Sequence, residues 1–249
     1  MNCYFVFEGK TEPEIYKAWL KILVEDLQEV DFLPQVTDNN YIYYDNTGYP
    51  NCYNIICNAI QDIHESAVIF DYLVVFLDTD QVSIEERQEE LQKEVQQKLA
   101  SREVDYKGLP ESCELIIITQ KVCIETWFLG NRKFFPTANQ SPELTRYRQY
   151  FDVCANDPEE LAQEFIAERG SNLFGCSTRA LFHAKYLNAV FKDRTRNSRI
   201  EGYGKAAPKE VIEPYYLQQL IKRTQETGHL STFQTFLDFC QTLNPNLKF

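Results

Sequence analysis

Four apolar runs punctuate the first half of the chain, and each is followed by residues whose apolar positions recur with helical spacing. CYFVF at 3–7, YIYY at 41–44, DYLVVFL at 71–77 and ELIIIT at 114–119 read as strands. The third is almost continuously apolar, as expected of a strand covered on both faces. Helices are predicted from Glu12 to about Glu29, over 53–66, from the Ser83 region to about Leu99, and from VCIETWFL onward. Thr11 with Glu14 and Ser83 with Glu86 have the spacing of capping boxes, and Pro13 falls in a first helical turn, where its missing N–H costs nothing. Strands alternating with helices imply parallel pairing through right-handed crossovers. The expected fold class is therefore α/β, a four-stranded parallel sheet flanked by helices.

Residues 131–157 break this pattern with turn formers and scattered aromatics and read as a joint. Beyond Asp157 the spacing is helical: 158–169 after an Asp-Pro cap, 178–192, about 209–227, and 231–242. Two regions are expected, an α/β domain over 1–131 and a mainly helical region over 132–249. No repeat or low-complexity segment is evident.

Composition narrows the class. With 249 residues, 44% of them hydrophobic and 14% aromatic, the chain can fill a core and is not of the disordered type. The N-terminus lacks a basic n-region, so no signal peptide is expected. The longest apolar stretch, AVIFDYLVVFL, is too short for a bilayer and contains Asp71, so no membrane partner is expected. The eight cysteines form no CxxC pair and only three histidines are present, which argues against zinc. Scattered cysteines without a signal read as reduced thiols in the cytoplasm.

Charge adds a local feature. The chain carries −12, yet Arg179, Lys185, Lys192, Arg194, Arg196, Arg199, Lys205 and Lys209 face only Asp193 and Glu201 over 179–209. This island is +6, leaving −18 for the rest. A basic island on an acidic protein can form a local phosphate-binding patch. Arg179, Lys185, Arg194, Arg196, Arg199, Lys205 and Lys209 are its candidate nucleic-acid-binding residues; the bland reading is a solvated helix face and loop.

The chemistry lies at strand ends. Glu8 follows the first strand, and Asp78 and Asp80 follow the third; in a parallel sheet such ends line the edge where ligand crevices form. Acids gathered there need a counter-cation or raised pKa values, and carboxylate oxygens suit Mg²⁺ or Mn²⁺, one ion or two. Glu125, just after the fourth strand, is a further candidate ligand, with an ordinary first-turn acid as the competing reading. Lys10, ahead of a helix N-terminus, would hold phosphate. Gly9-Lys10-Thr11 is not a P-loop, because the glycine required five residues earlier is absent; position 4 is Tyr4. His183, between Arg179 and Lys185, is a weaker candidate for substrate contact.

These residues resemble the Toprim fold of topoisomerases, primases, OLD-type nucleases and RloB-like proteins, with a Glu after the first strand and D-x-D after the third. The resemblance spans about residues 1–131. EGKTEPEIY is similar to the EG-x-TE-x-x-Y opening of small prokaryotic RloB-like proteins, and IETWFL to their acid-plus-Trp helix. It implies a Mg-dependent nuclease, in a setting of prokaryotic defence, with Glu8 as ligand or general acid/base, Asp78 and Asp80 as metal ligands, and Glu125 completing the site. The implied partner is DNA or RNA. The alternative is a non-catalytic Toprim module that binds nucleotide or nucleic acid and works with a separate ATPase, since no Walker motif is present here. A third reading makes the chain a plain interaction protein whose strand-end acids are incidental.

Overall fold

In a computed structural model, which describes residues 1–9, 11–44, 51–137, 139–162, 166, 174–194 and 209–249, the apolar runs form strands. They are β1 (Cys3–Phe7), β2 (Gln28–Glu29), β3 (Asn40–Tyr44), β4 (Tyr72–Asp78) and β5 (Glu114–Gln120). They make one parallel sheet in the order β2-β3-β1-β4-β5. Phe5 stands opposite Tyr43 and Val74, and Phe7 opposite Phe76. The fold class is thus α/β, with five strands rather than the expected four. The extra strand has two residues, too few for a periodic signal, and borrows its register from β3 through Gln28–Asn40 and Glu29–Tyr41.

The chain divides into two compact units: Met1–Leu77, Val82–Thr119 and Asp238–Leu247 form the first; Asp78–Gln81, Gln120–Leu237 and Lys248–Phe249 form the second. Residues 120–131 thus belong with the helical part, and residues 238–247 belong with the sheet.

In the first unit, strand alternation sorts the core. Tyr4, Val6, Leu73 and Val75 pack with Ile56, Ile60 and Ile63 of α2 (Cys52–Glu65) and with Leu91, Val95 and Leu99 of α3 (Ile84–Ala100). The opposite face is aromatic: Phe7 stacks on Phe76 at 4.8 Å and on Tyr16 of α1 (Glu12–Leu23) at 5.6 Å, and Phe5 on Tyr41 at 5.0 Å. At roughly 1.5–3 kcal/mol for each fully buried large apolar side chain, these two layers dominate the unit's stability.

Helix ends follow local chemistry. Ser83 caps α3 as expected: its Oγ accepts from the Glu86 N–H (3.1 Å) and the Glu86 carboxylate accepts from the Ser83 N–H (2.8 Å). Thr11 does not cap α1. Its backbone is already helical and its side chain makes no cap bond; instead the buried Glu12 carboxylate accepts from the Gly9 N–H at 2.6 Å. α1 stops at Leu23 rather than near Glu29, because Glu25 and Asp26 would place negative charge against a helix C-terminus.

The second unit is built from α4 (Ile124–Phe128), α5 (Pro142–Tyr150), α6 (Arg179–Arg194), α7 (Pro214–Thr227) and the first part of α8 (Ser231–Leu243). Tyr147 of α5 stacks on Tyr186 and packs edge-on to Phe182. Trp127 packs against Phe233, and its Nε1–H donates to Thr232 Oγ1 at 2.8 Å. α5 lies inside the segment read as a joint; Ser141, its cap, accepts from the Leu144 N–H at 3.1 Å. The helix expected over 158–169 opens as a single 3-10 turn, Pro158–Glu160, and Leu161 is extended. Its acids serve α8 instead. Asp157 accepts from the Leu230 N–H, and the buried Glu159 carboxylate accepts from the Thr232 N–H and the hydroxyls of Ser231 and Thr232. Among the described residues no helix is long and apolar enough to cross a membrane. All eight cysteines are free thiols.

Candidate functional site

The Asp78-Thr79-Asp80 turn is fixed by its backbone. β4 ends at Asp78; the Thr79 N–H donates to Gln120 O at 3.0 Å and the Asp80 N–H to Val122 O at 2.9 Å, so the turn continues the pairing with the chain leaving β5. Asp80 sits at φ 52°, in the left-handed region that Asp tolerates better than most residues. Its carbonyl accepts from an Arg179 guanidinium N–H at 3.1 Å. Thr79 is fully buried, while Asp78 and Asp80 are half-buried. Asp80 therefore belongs to a turn held from three directions.

Glu125 lies in the first turn of α4 and is 2% exposed. Next to it, the Cys123 thiol is raised well above its ordinary pKa, first by complete burial and then by the negative charges of Glu125 and Asp78. Glu125 and Asp78 thus act on one buried point within the second unit. The start of α4 is held by Thr126, whose hydroxyl accepts from the Val122 and Cys123 N–H groups at 3.1 and 3.3 Å. Its own proton is left for His183 Nδ1, 2.7 Å away. His183 is fully buried, and burial, with Arg179's charge, lowers its pKa to about 3. It is a neutral structural partner of α4 rather than a substrate contact.

Glu8 belongs to the first unit. It leaves β1 half-buried, and its N–H donates to Phe76 O at 3.2 Å, extending the β1–β4 ladder by one residue. Its charge bears on Cys52, whose thiol burial pushes up to about 12, and on Arg87. Glu12, an acid of the first turn of α1, closes the turn after Glu8 through Gly9.

The basic residues have varied settings. Arg179 is at the Asp80 turn. Lys185 donates to the carbonyls of Phe174 and Gly175 at 3.1 and 3.0 Å. Arg194 lies over the Phe134 ring at 4.5 Å and reaches the Lys133 and Phe134 carbonyls. Lys209 is exposed. Lys10, Arg196, Arg199 and Lys205 lie outside the described residues.

Among the described residues no group of three or more His, Cys, Asp or Glu side chains is drawn together as a metal cage. Mg²⁺ does not need one, since it keeps several waters and takes one or two carboxylates plus substrate phosphate. Asp78, Asp80 and Glu125 carry the hard oxygen donors that Mg²⁺ takes, but the three are not drawn together as one group. No family model, curated protein or solved structure matches the chain.

Proposed function

We propose that the chain is a Mg²⁺- or Mn²⁺-dependent phosphodiesterase acting on nucleic acid in a reducing, cytoplasmic setting, with a Toprim-like arrangement of strand-end acids. The observation that carries this reading is the Asp78–Asp80 turn, fixed by Gln120, Val122 and Arg179, in the same unit as the buried Glu125. The left-handed Asp80 and the Arg179 contact hold this turn in one conformation.

Asp78 and Asp80 would hold the ion, with Glu125 as a further acid for the same or a second ion. When bound, the ion would polarise the phosphodiester and lower the pKa of an attacking water. Glu8, which belongs to the first unit, is proposed as the proton acceptor on the Toprim resemblance alone. Arg179 holds Asp80 in place and brings positive charge to the turn. Lys10 and Lys205 are proposed as holders of the non-reacting phosphate.

The test is a cleavage screen with Mg²⁺ and Mn²⁺ over single- and double-stranded DNA, transfer RNA and other RNA, with Glu8→Ala as control. Cleavage by the wild type and loss in Glu8→Ala is the expected outcome; no cleavage of any substrate sinks the enzyme reading. A second reading, a binding module that does not cut and works with a separate ATPase, is favoured by the lack of a three-acid cluster among the described residues. In that case Asp80→Ala would keep nucleic-acid affinity, while neutralising Arg194, Arg196 and Arg199 would abolish it.

A further inference from the structure

The second unit contains a basic pocket that the strand-end acids do not use. Its volume is about 410 Å³, and Arg132, Lys133, Lys222 and Arg223 line it against one carboxylate, Glu226. The sequence builds it from a short segment. Gly130 lets the chain pass close to α4, since a Cβ there would stand 2.7 Å from Trp127 O and 2.5 Å from a Leu230 methyl. The fully buried Asn131 then accepts from the Lys133 and Phe134 N–H groups, both at 3.1 Å, and tightens 132–134 into a 3-10 turn. That turn presents Arg132 and Lys133 beside α7, which supplies Lys222, Arg223 and Glu226.

The cations are poorly compensated. Arg223 is 3% exposed and donates to the carbonyls of Leu129, Gly130, Val153 and Asn156, so its partners are neutral dipoles. Burial and the like charge of Arg132 lower its pKa to about 10. The charges of Asp157 and Asp152 offset this only in part. Among the described residues, the buried Nε atoms of both Arg132 and Arg223 have no hydrogen-bond acceptor. Glu226 reaches Lys222 at 3.6 Å, and both of these side chains are about 60% exposed. With Arg132, Lys133, Lys222 and Arg223 set against the single carboxylate of Glu226, the pocket carries surplus positive charge and suits an anion with several oxygens and more than one charge.

The geometry points to a phosphate-binding pocket formed by Arg132, Lys133 and Lys222 over the buried Arg223. Its ligand is a phosphate group carried by a nucleotide or by a nucleic-acid backbone. Guanidinium forks match phosphate oxygens, and the pocket exceeds what a single small ion fills. The inference is independent of metal chemistry at the strand ends.

The test is calorimetric titration of the full chain with inorganic pyrophosphate at constant ionic strength. One saturable site per chain is expected. Lys222→Gln and Arg132→Gln should each weaken binding by about five- to tenfold, the range for losing one charge-assisted contact in a partly screened site. Glu226→Gln should tighten it by about threefold, because it removes the competing carboxylate. If Arg132→Gln does not fold, the exposed positions 222 and 226 still decide the matter by their opposite signs. No saturable binding, or equal affinity in Lys222→Gln and Glu226→Gln, overturns the pocket. Displacement of pyrophosphate by a nucleoside triphosphate alone assigns a nucleotide. Displacement by an oligonucleotide without terminal phosphate assigns a backbone phosphodiester, and displacement by neither overturns the proposal.

Discussion

The two compact units hold their elements by different means. In the first, sheet strands of continuously apolar residues press against α1 on one face and α2 and α3 on the other, so burial is spread over many side chains. In the second, short helices are tied at a few buried polar points: Arg223 on four carbonyls, Glu159 on the start of α8, and Thr126 with His183 at the start of α4. Distributed burial tolerates the loss of one member. A buried polar hub does not, because each group left behind is an unsatisfied one.

Single substitutions sharpen this contrast. Arg223→Met should cost about 3–5 kcal/mol, since it strips the donor from carbonyls in a buried setting. Urea denaturation measures this, and a cost under about 1 kcal/mol would remove the hub from the description. Leu73→Ala in the first unit should cost about 2–4 kcal/mol, the usual range for a cavity in a packed core.

The second unit should also be acid-sensitive. His183 has its folded pKa depressed from 6.5 to about 3, so between those values the unfolded chain binds a proton that the folded chain refuses. Its stabilising effect is complete above pH 6.5 and declines as pH falls toward 3, by about 1.4 kcal/mol per pH unit at most. Stability measured from pH 7 to 4 should fall less steeply in His183→Gln than in the wild type; parallel curves would show that His183 is not held neutral. The smallest contrast lies within the first unit. Ser83→Ala should cost about 1 kcal/mol by thermal melting and Thr11→Ala less than about 0.5, because only Ser83 makes a cap bond.

Much of the first unit was legible because its signals are local. Continuous apolar runs marked the four main strands, and the Ser83–Glu86 spacing marked the start of α3. Thr11–Glu14 has the same spacing yet fails, since the Thr11 backbone is already helical and its side chain makes no cap bond. α5 was hidden although Ser141-Pro142-Glu143 is a fair helix start, because the surrounding turn formers and aromatics masked the period. At the candidate site, strand ends pointed to Asp78, Asp80 and Glu125. Nothing local could connect Arg179 to the Asp80 carbonyl, 99 positions away, or set Arg132 and Lys133 beside Lys222. Those pairings come from helix packing, which a sequence pattern does not encode residue by residue.

If the Asp78–Asp80 turn holds a divalent ion, Mn²⁺ titration followed by electron paramagnetic resonance will show saturable binding of one or two ions per chain, lost in Asp80→Asn and kept in Glu14→Gln, which alters an exposed acid of α1. Saturable binding that survives Asp80→Asn unchanged, or no saturable binding by the wild type, would contradict ion binding at this turn.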